Sequence, residues 1–356
     1  MIRFEAKTNV PFWQHIVVPM VAGLTSLVFA TCLLALTGAS AWRAVGLMLD
    51  GALGSVFAVS ETLTRATPLI FTGLAVAVAF RAKFWNIGAE GQLYAGALAA
   101  VAIGSGAVVL PSPVMIPLMM LAGALAGAAV LVGPALAKTT LGVDEVVTTL
   151  LLNFVMILFV QMMLEGPFKD PMGMGWPQSS PIVDEGVLPV LIAKLRTHAG
   201  LLIGVILSFV VSVLMSRTVW GYEIRATGEN SAAAAFAGMP VTATILRVAL
   251  ISGGLAGLAG VSEVAGLKGY LTADLSPGFG YTGIVVAMLA GLSPLGVVPA
   301  AIFVAAVFVG ADTMSRSLGI SNYFADLVVA LALICVIIGG LFLRYSVSWV
   351  RVKERV

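Results

Sequence analysis

The sequence predicts an all-α integral membrane protein of about ten transmembrane helices, some of them short or broken, with both termini cytoplasmic. Three observations carry this. Sixty per cent of the 356 residues are hydrophobic and only ten per cent are charged, too little polar side chain to coat a soluble core of this size. The apolar residues fall in blocks of about 20, the length that spans roughly 30 Å of hydrocarbon at 1.5 Å per residue. With the N-terminus inside and ten segments, twelve of the nineteen Lys and Arg lie on the cytoplasmic side, as the positive-inside rule requires.

In chain order, the first segment is residues 16–36, about 21 residues and longer than the 7–15 expected of a signal-peptide core. Residues 44–59 are apolar but interrupted by Asp50, Gly51 and Gly54, which favours an interfacial helix on the outer surface over a crossing. Residues 1–61 thus form an N-terminal region ahead of a core at 62–343. Within the core, residues 62–80, 90–110, 114–137 and 146–164 read as spans. Residues 165–198 form an external loop rich in Gly and Pro, with a plain connector and a partner-facing cap equally open. Spans at 199–215 and 241–261 flank a cytoplasmic stretch at 217–241. Residues 280–310 are broken at Gly291-Leu292-Ser293-Pro294-Leu295-Gly296 and read as two short membrane helices. A single crossing there would send the basic tail, residues 344–356, outside. Residues 325–343 form the last span. Trp13, Trp42, Trp85, Trp220 and Trp349 fall near span ends, where an amphipathic indole prefers to sit.

Several chemistries are disfavoured. Cys32 and Cys335 lie inside predicted helices and read as buried thiols, and with two histidines in the chain neither a metal nor a cofactor is expected. The chain has no Gly-x-x-x-x-Gly-Lys-Ser/Thr loop, so if ATP is involved another subunit binds it. The intramembrane carboxylates, Glu90, Glu263 and Asp326, each sit near a span end. An unpaired charge at a helix centre costs about 2.5–3.5 kcal/mol, and a proton-driven carrier would show a paired relay. That weakens the reading of an ion-coupled carrier or channel working alone.

Three segments carry a signal. In the stretch at 217–241, Asn230 or Ser231 can cap a short helix, the alanines through Ala234 and Ala235 propagate it, and Gly238 with Pro240 stops it. Phe236 and Met239 offer apolar anchors. This suits a helix that inserts into a cleft of another protein; an interfacial linker is the alternative. In Asn86-Ile87-Gly88-Ala89-Glu90-Gly91-Gln92, polar side chains and glycines meet at the mouth of a helix. There they can line a pathway or satisfy a broken backbone. Glu145, Thr149 and Asn153 recur at i, i+4 and i+8 and share one helix face. They can contact a polar solute or hydrogen-bond between helices. The glycines from Gly253 to Gly260, and Gly123 with Gly127, read as close helix packing.

Together these segments resemble the membrane-spanning permease subunits of bacterial ABC importers in the branched-chain amino acid, ribose and nucleoside group, over about residues 62–343. Asn86 to Gln92, preceded by Thr67-Pro68-Leu69 and Gly73-Leu74-Ala75-Val76-Ala77, is most similar to the nucleoside (basic-membrane-protein-dependent) branch. Gly228-Glu229-Asn230 with Ala234, Ala235, Phe236 and Gly238 is similar to that family's coupling helix, although it lacks the full Glu-Ala-Ala-x-x-x-Gly pattern of other importers. The resemblance implies a multi-pass subunit of the bacterial inner membrane that forms a substrate path. It implies three protein partners: a cytoplasmic ABC ATPase, a second and different permease, and an extracytoplasmic binding protein. No nucleic acid is implied. It makes Asn86, Glu90, Gln92, Thr149 and Asn153 candidates for the pathway, and Gly228 to Gly238 the ATPase contact. Ribose or another simple sugar is the alternative cargo. A scaffold or receptor without flux is a rival of another class.

Overall fold

The computed structural model describes residues 2–6, 40–106, 110–321 and 345–349, with isolated positions at 25, 28 and between 323 and 339. The predicted first span at 16–36, much of the last at 325–343, and Trp13 and Cys32 lie outside the described residues. The architecture is helical, and among the described residues six helices are long and apolar enough to cross a membrane.

Residues 1–59 and 306–356 make one compact unit and residues 60–305 another. In the first, strand β1 (Ile2–Ala6) pairs antiparallel with strand β2 (Tyr345–Trp349), Ile2 opposite Trp349 and Ala6 opposite Tyr345. This ribbon adds to the helical expectation. Its signal is the alternation of Ile2 and Phe4 with Arg3 and Glu5, and of Tyr345, Val347 and Trp349 with Ser346 and Ser348. Helix α1 (Ala41–Leu53) covers most of the stretch expected at 44–59 and ends where Gly54 breaks the apolar run. It packs on the C-terminal half of a later helix, residues 306–318, through glycine. A Cβ at Gly51 would strike the Thr313 side chain, and one at Gly310 would come within 2.6 Å of the Met48 carbonyl.

The second unit is built around a glycine seam. Helices α2 (Val56–Arg81), α3 (Ala89–Gly104), α4 (Ser112–Leu136), α5 (Glu145–Glu165), α6 (Gly200–Arg217) and α9 (Val241–Glu263) supply its mass. Between them lie two short helices, α7 (Val219–Glu229) and α8 (Ser231–Phe236). Helices α3, α4 and α9 touch backbone to backbone. A Cβ on Gly127 would overlap the Gly253 carbonyl, one on Gly257 the Gly123 carbonyl, one on Gly96 the Gly257 carbonyl and one on Gly260 the Leu93 carbonyl. Small residues allow this approach, which is how membrane helices gain packing energy when lipid is as apolar as their side chains. Helix α2 is buried almost all round, whereas α5 and α6 leave most of their apolar surface exposed, as lipid-facing helices do.

Helices α4 and α9 each end in a five-residue π-helical turn, closed by Gly142 (φ 67°) and Gly269 (φ 77°) in the left-handed conformation. The loop at 165–198 is an ordered cover. Its Val183, Leu188 and Ile182 N–H groups donate to the carbonyls of Gly104, Ala265 and Gly269, acceptors that helix ends leave open. Helix α3 stops at Gly104, short of the expected 110, because Gly106 adopts φ 93°.

The region at 280–310 breaks where expected, but its halves are unequal. Helix α10 (Phe279–Leu289) has 11 residues and α11 (Pro294–Leu318) has 25. Only the second is long enough to cross about 30 Å as a helix by itself. Gly291 (φ 60°) and Leu292 (φ 59°) make the turn between them, and Arg81 Nε donates to the Leu292 carbonyl at 3.3 Å.

Candidate functional site

The backbone between α2 and α3, Ala82 to Gly88, is not helical. In hydrocarbon its free N–H and C=O groups need internal partners, and one face of α5 supplies them. Glu145 Oε1 accepts from the Trp85 N–H at 3.2 Å, and Thr149 Oγ1 from the Ile87 N–H at 3.2 Å. Asn153 Oδ1 accepts from the Gly91 N–H at 2.8 Å, while its Nδ2 donates to the Ile87 carbonyl at 2.8 Å and to the Tyr281 hydroxyl at 3.1 Å. The i, i+4, i+8 face is therefore an interhelical staple. Lys138 forms an ion pair with Glu145 at its outer end.

Asn86 and Gln92 close a reciprocal amide pair. Asn86 Nδ2 donates to Gln92 Oε1 at 3.0 Å and Gln92 Nε2 donates to Asn86 Oδ1 at 2.9 Å. The same Asn86 also donates to Ser252 Oγ and accepts from the Gly88 N–H, and Ser252 donates in turn to the Ala75 carbonyl at 2.7 Å. All four polar valences of Asn86 are filled by protein. Asn86, Glu90, Gln92, Thr149 and Asn153 are all buried.

Glu90 lies in the first turn of α3, at the start of the helix where the sequence placed it. Thr72 donates to the Phe279 carbonyl at 3.0 Å, and Thr72 lies nine residues before the end of α2 at Arg81, about 13 Å along the axis. Glu90 Oε2 accepts from the neighbouring Gly280 N–H at 2.6 Å, level with that point of α2. The cause is the extended Ala82–Gly88 segment, which carries the start of α3 inward. A periodicity reading sees only that a helix begins and cannot show how deep.

The other candidates sit on the surface, apart from the buried Gly228 and Ala234. Asn230 caps α8, its Oδ1 accepting from the Ala233 N–H at 3.0 Å, and Gly238 (φ 82°) ends it. Phe236 is 98 % exposed, and Ala235 is exposed while Ala234 is buried. The preceding helix α7 was not legible beforehand. Its cap is Thr218, whose Oγ1 accepts from the Gly221 N–H, and Arg247 on α9 fixes it by pairing with Glu223 at 2.7 Å and lying 5.1 Å over the Trp220 ring. Gly228 is where α7 meets α2, since a Cβ there would overlap the Arg81 carbonyl. Lys83 Nζ donates to the Glu229 carbonyl at 3.3 Å. A cleft of about 460 Å³ opens here, lined by Lys83, Lys138, Gly228, Glu229 and Asn230 among others. The surface helix and the stapled segment thus meet at residues 81–83.

At the end of the loop at 165–198, His198 is fully buried. Its Nδ1 accepts from the Gly200 N–H at 3.2 Å, its Nε2 has no partner, and Gly200 and Gly266 press on the ring so closely that neither could carry a Cβ. Burial holds this imidazole down at about 4. No group of three or more His, Cys, Asp or Glu among the described residues could hold a metal ion.

Comparison with known proteins gives one family and several relatives. The family described as branched-chain amino acid transport system / permease component matches residues 58–346. The glucose ABC transporter permease protein TsgB13 of Haloferax volcanii is 34% identical over 98% of this chain and 93% of its own. The guanosine ABC transporter permease protein NupP of Bacillus subtilis is 31% identical over 91% and 93%. The nucleoside ABC transporter permease protein NupB of Lactococcus lactis is 30% identical over 85% and 85%.

Proposed function

The chain belongs to the branched-chain amino acid transport system permease family, and from that premise we propose that it forms the path of an ATP-driven importer for nucleosides. It is a multi-pass membrane protein of the ABC permease class. The guanosine and nucleoside permeases among its relatives support the choice of cargo. A cytoplasmic ATPase hydrolyses ATP, an external binding protein delivers solute, and a second permease completes the path. Ten crossings with both termini cytoplasmic remain our topology. The β1–β2 ribbon supports it, because paired strands lie on one side of a bilayer and the number of crossings between them is then even.

The observation that carries the coupling role is Phe236, almost wholly exposed on a capped helix. That helix is tied through Gly228, Glu229 and Lys83 to the start of the stapled segment. Docking of α8 in an ATPase cleft would bury Phe236. Its movement would reach Ala82–Gly88 directly, and through Asn153 and Glu90 the first turn of α10. Asn86, Gln92, Thr149 and Asn153 then act as the frame that holds this segment in the membrane.

A second reading, the same machine carrying a sugar, is favoured by the likeness to the glucose permease. The test is uptake of labelled guanosine, with ribose and glucose in parallel, into proteoliposomes holding this chain, its ATPase, second permease and binding protein. ATP-dependent guanosine uptake is expected. Sugar uptake alone would keep the machine and change the cargo. Flux without ATP would overturn the importer.

A further inference from the structure

Helices α3 and α10 both begin deep in the bundle, and their N-termini meet. A Cβ on Gly280 would overlap the Glu90 backbone N, so the second residue of one helix lies against the second residue of the other. Each helix N-terminus carries about half a positive charge from its aligned peptide dipoles and unpaired N–H groups. Two such ends in contact inside the bundle attract an anion strongly. In many transporters, the N-termini of discontinuous helices point at the anionic group of a substrate. Here a protein carboxyl occupies the place. Glu90 lies in the first turn of α3, yet its Oε2 accepts from the Gly280 N–H of α10 at 2.6 Å. The Ser276 side chain and the Gly278 backbone lie beside this carboxyl, and the Gly278 N–H donates to Ser276 Oγ at 3.2 Å. Ser276 Oγ accepts from the Phe279 N–H at 2.9 Å, and Tyr94 holds the approach by donating to the Ala273 carbonyl at 2.7 Å.

We propose that Glu90 is a specificity-determining residue: it fills, from within the protein, the anion site that two converging half-helix ends create, and so reserves the path for uncharged polar solutes such as nucleosides over their phosphates. The solute clause rests on the function proposed above; the occupied anion site does not. Without the carboxyl, the paired helix ends bind a small anion from solution.

The test is chemical rescue of the purified full-length chain in detergent, read by thermal unfolding. Glu90→Ala is expected to melt several degrees below wild type, by about 2–4 °C per kcal/mol lost. Sodium formate is expected to restore most of that shift, whereas formamide, its neutral counterpart, restores little and wild type responds to neither. Ser276→Ala retains the carboxyl and is expected to lower melting without gaining sensitivity to formate. Equal rescue by formate and formamide, or none by either, would reduce Glu90 to a space-filling cap and overturn the proposal. In the reconstituted transporter, guanosine 5′-monophosphate is expected to inhibit guanosine uptake by Glu90→Gln about tenfold more strongly than by wild type, a difference of about 1.4 kcal/mol. Equal inhibition would overturn the specificity role. Failure of wild type to carry guanosine would strike the proposed cargo and leave the formate result to judge Glu90.

Discussion

The stapled segment from Ala82 to Gly91 and the surface segment from Thr227 to Pro240 have similar compositions of small and polar residues, and they use them in opposite ways. In the first, Lys83 and Trp85 face out while Asn86 and Glu90 are buried, and the buried amides find protein partners: Asn86 with Gln92, Ser252 and Gly88, and Asn153 with Ile87, Gly91 and Tyr281. In the second, capping bonds are confined to the backbone of α8 itself, and the largest apolar side chain stands in the open. A sequence motif marks both as special. Only the direction of the hydrogen bonds separates a piece of framework from a piece of interface.

The largest test of that difference is Phe236→Asp. A charge on a docking surface that must lose its water costs several kcal/mol of affinity. ATP-dependent uptake should fall by about a hundredfold or more while thermal unfolding of the chain stays unchanged. A large drop in melting temperature would show instead that α8 is part of the folded core.

Asn86→Ala should do the reverse. It leaves the Gln92 amide, the Gly88 N–H and the Ser252 hydroxyl without their partner, at about 1–3 kcal/mol for each buried group left unsatisfied. The yield of folded complex should fall while flux per assembled complex stays near wild type. Flux per complex that falls with no loss of stability would place Asn86 on the solute route.

His198 offers a third case, a buried polar ring with one nitrogen unpartnered. Its imidazole is held at about 4, against about 6.5 in an unfolded chain. Between those values the unfolded state binds a proton that the folded state refuses, so stability falls as pH drops from about 6.5 to about 4, by at most about 1.4 kcal/mol per pH unit. Melting temperature against pH should show this slope, and His198→Asn should flatten it. An unchanged slope in the variant would assign it to other groups. The smallest effect belongs to Asn230→Ala, which removes the α8 cap at about 1 kcal/mol and should lower uptake by about fivefold. Undiminished uptake would mean that docking does not need a preformed helix.

Much of this was legible in the chain. The apolar blocks at 62–80, 114–137, 146–164, 199–215 and 241–261 fall on helices long enough to cross a membrane, the break near Gly291 split a helix where the chain in fact turns, and Asn230 and Gly238 bounded α8. Glycine spacing foretold the seam. What composition could not show was depth. The position of Glu90 inside the bundle, level with Thr72 of α2, follows from a connection held by hydrogen bonds to Glu145, Thr149 and Asn153, residues about 60 positions away. Helix α7 escaped notice because its mixed polarity has neither a span's hydropathy nor an alanine run. The unequal halves of 280–310 escaped because Gly and Pro mark where a helix stops, and tertiary packing decides how far each half runs.

The glycine seam of α3, α4 and α9 has a mechanical meaning. Three helices in backbone contact have no side-chain layer between them to shear, rotate or repack, and Gly96, Gly123, Gly127, Gly253, Gly257 and Gly260 leave no room for one added carbon. Such a joint behaves as a weld. In an importer of the kind proposed, a change of access would pivot around this trio rather than within it, so the protein's stiffness is concentrated where it carries the fewest atoms.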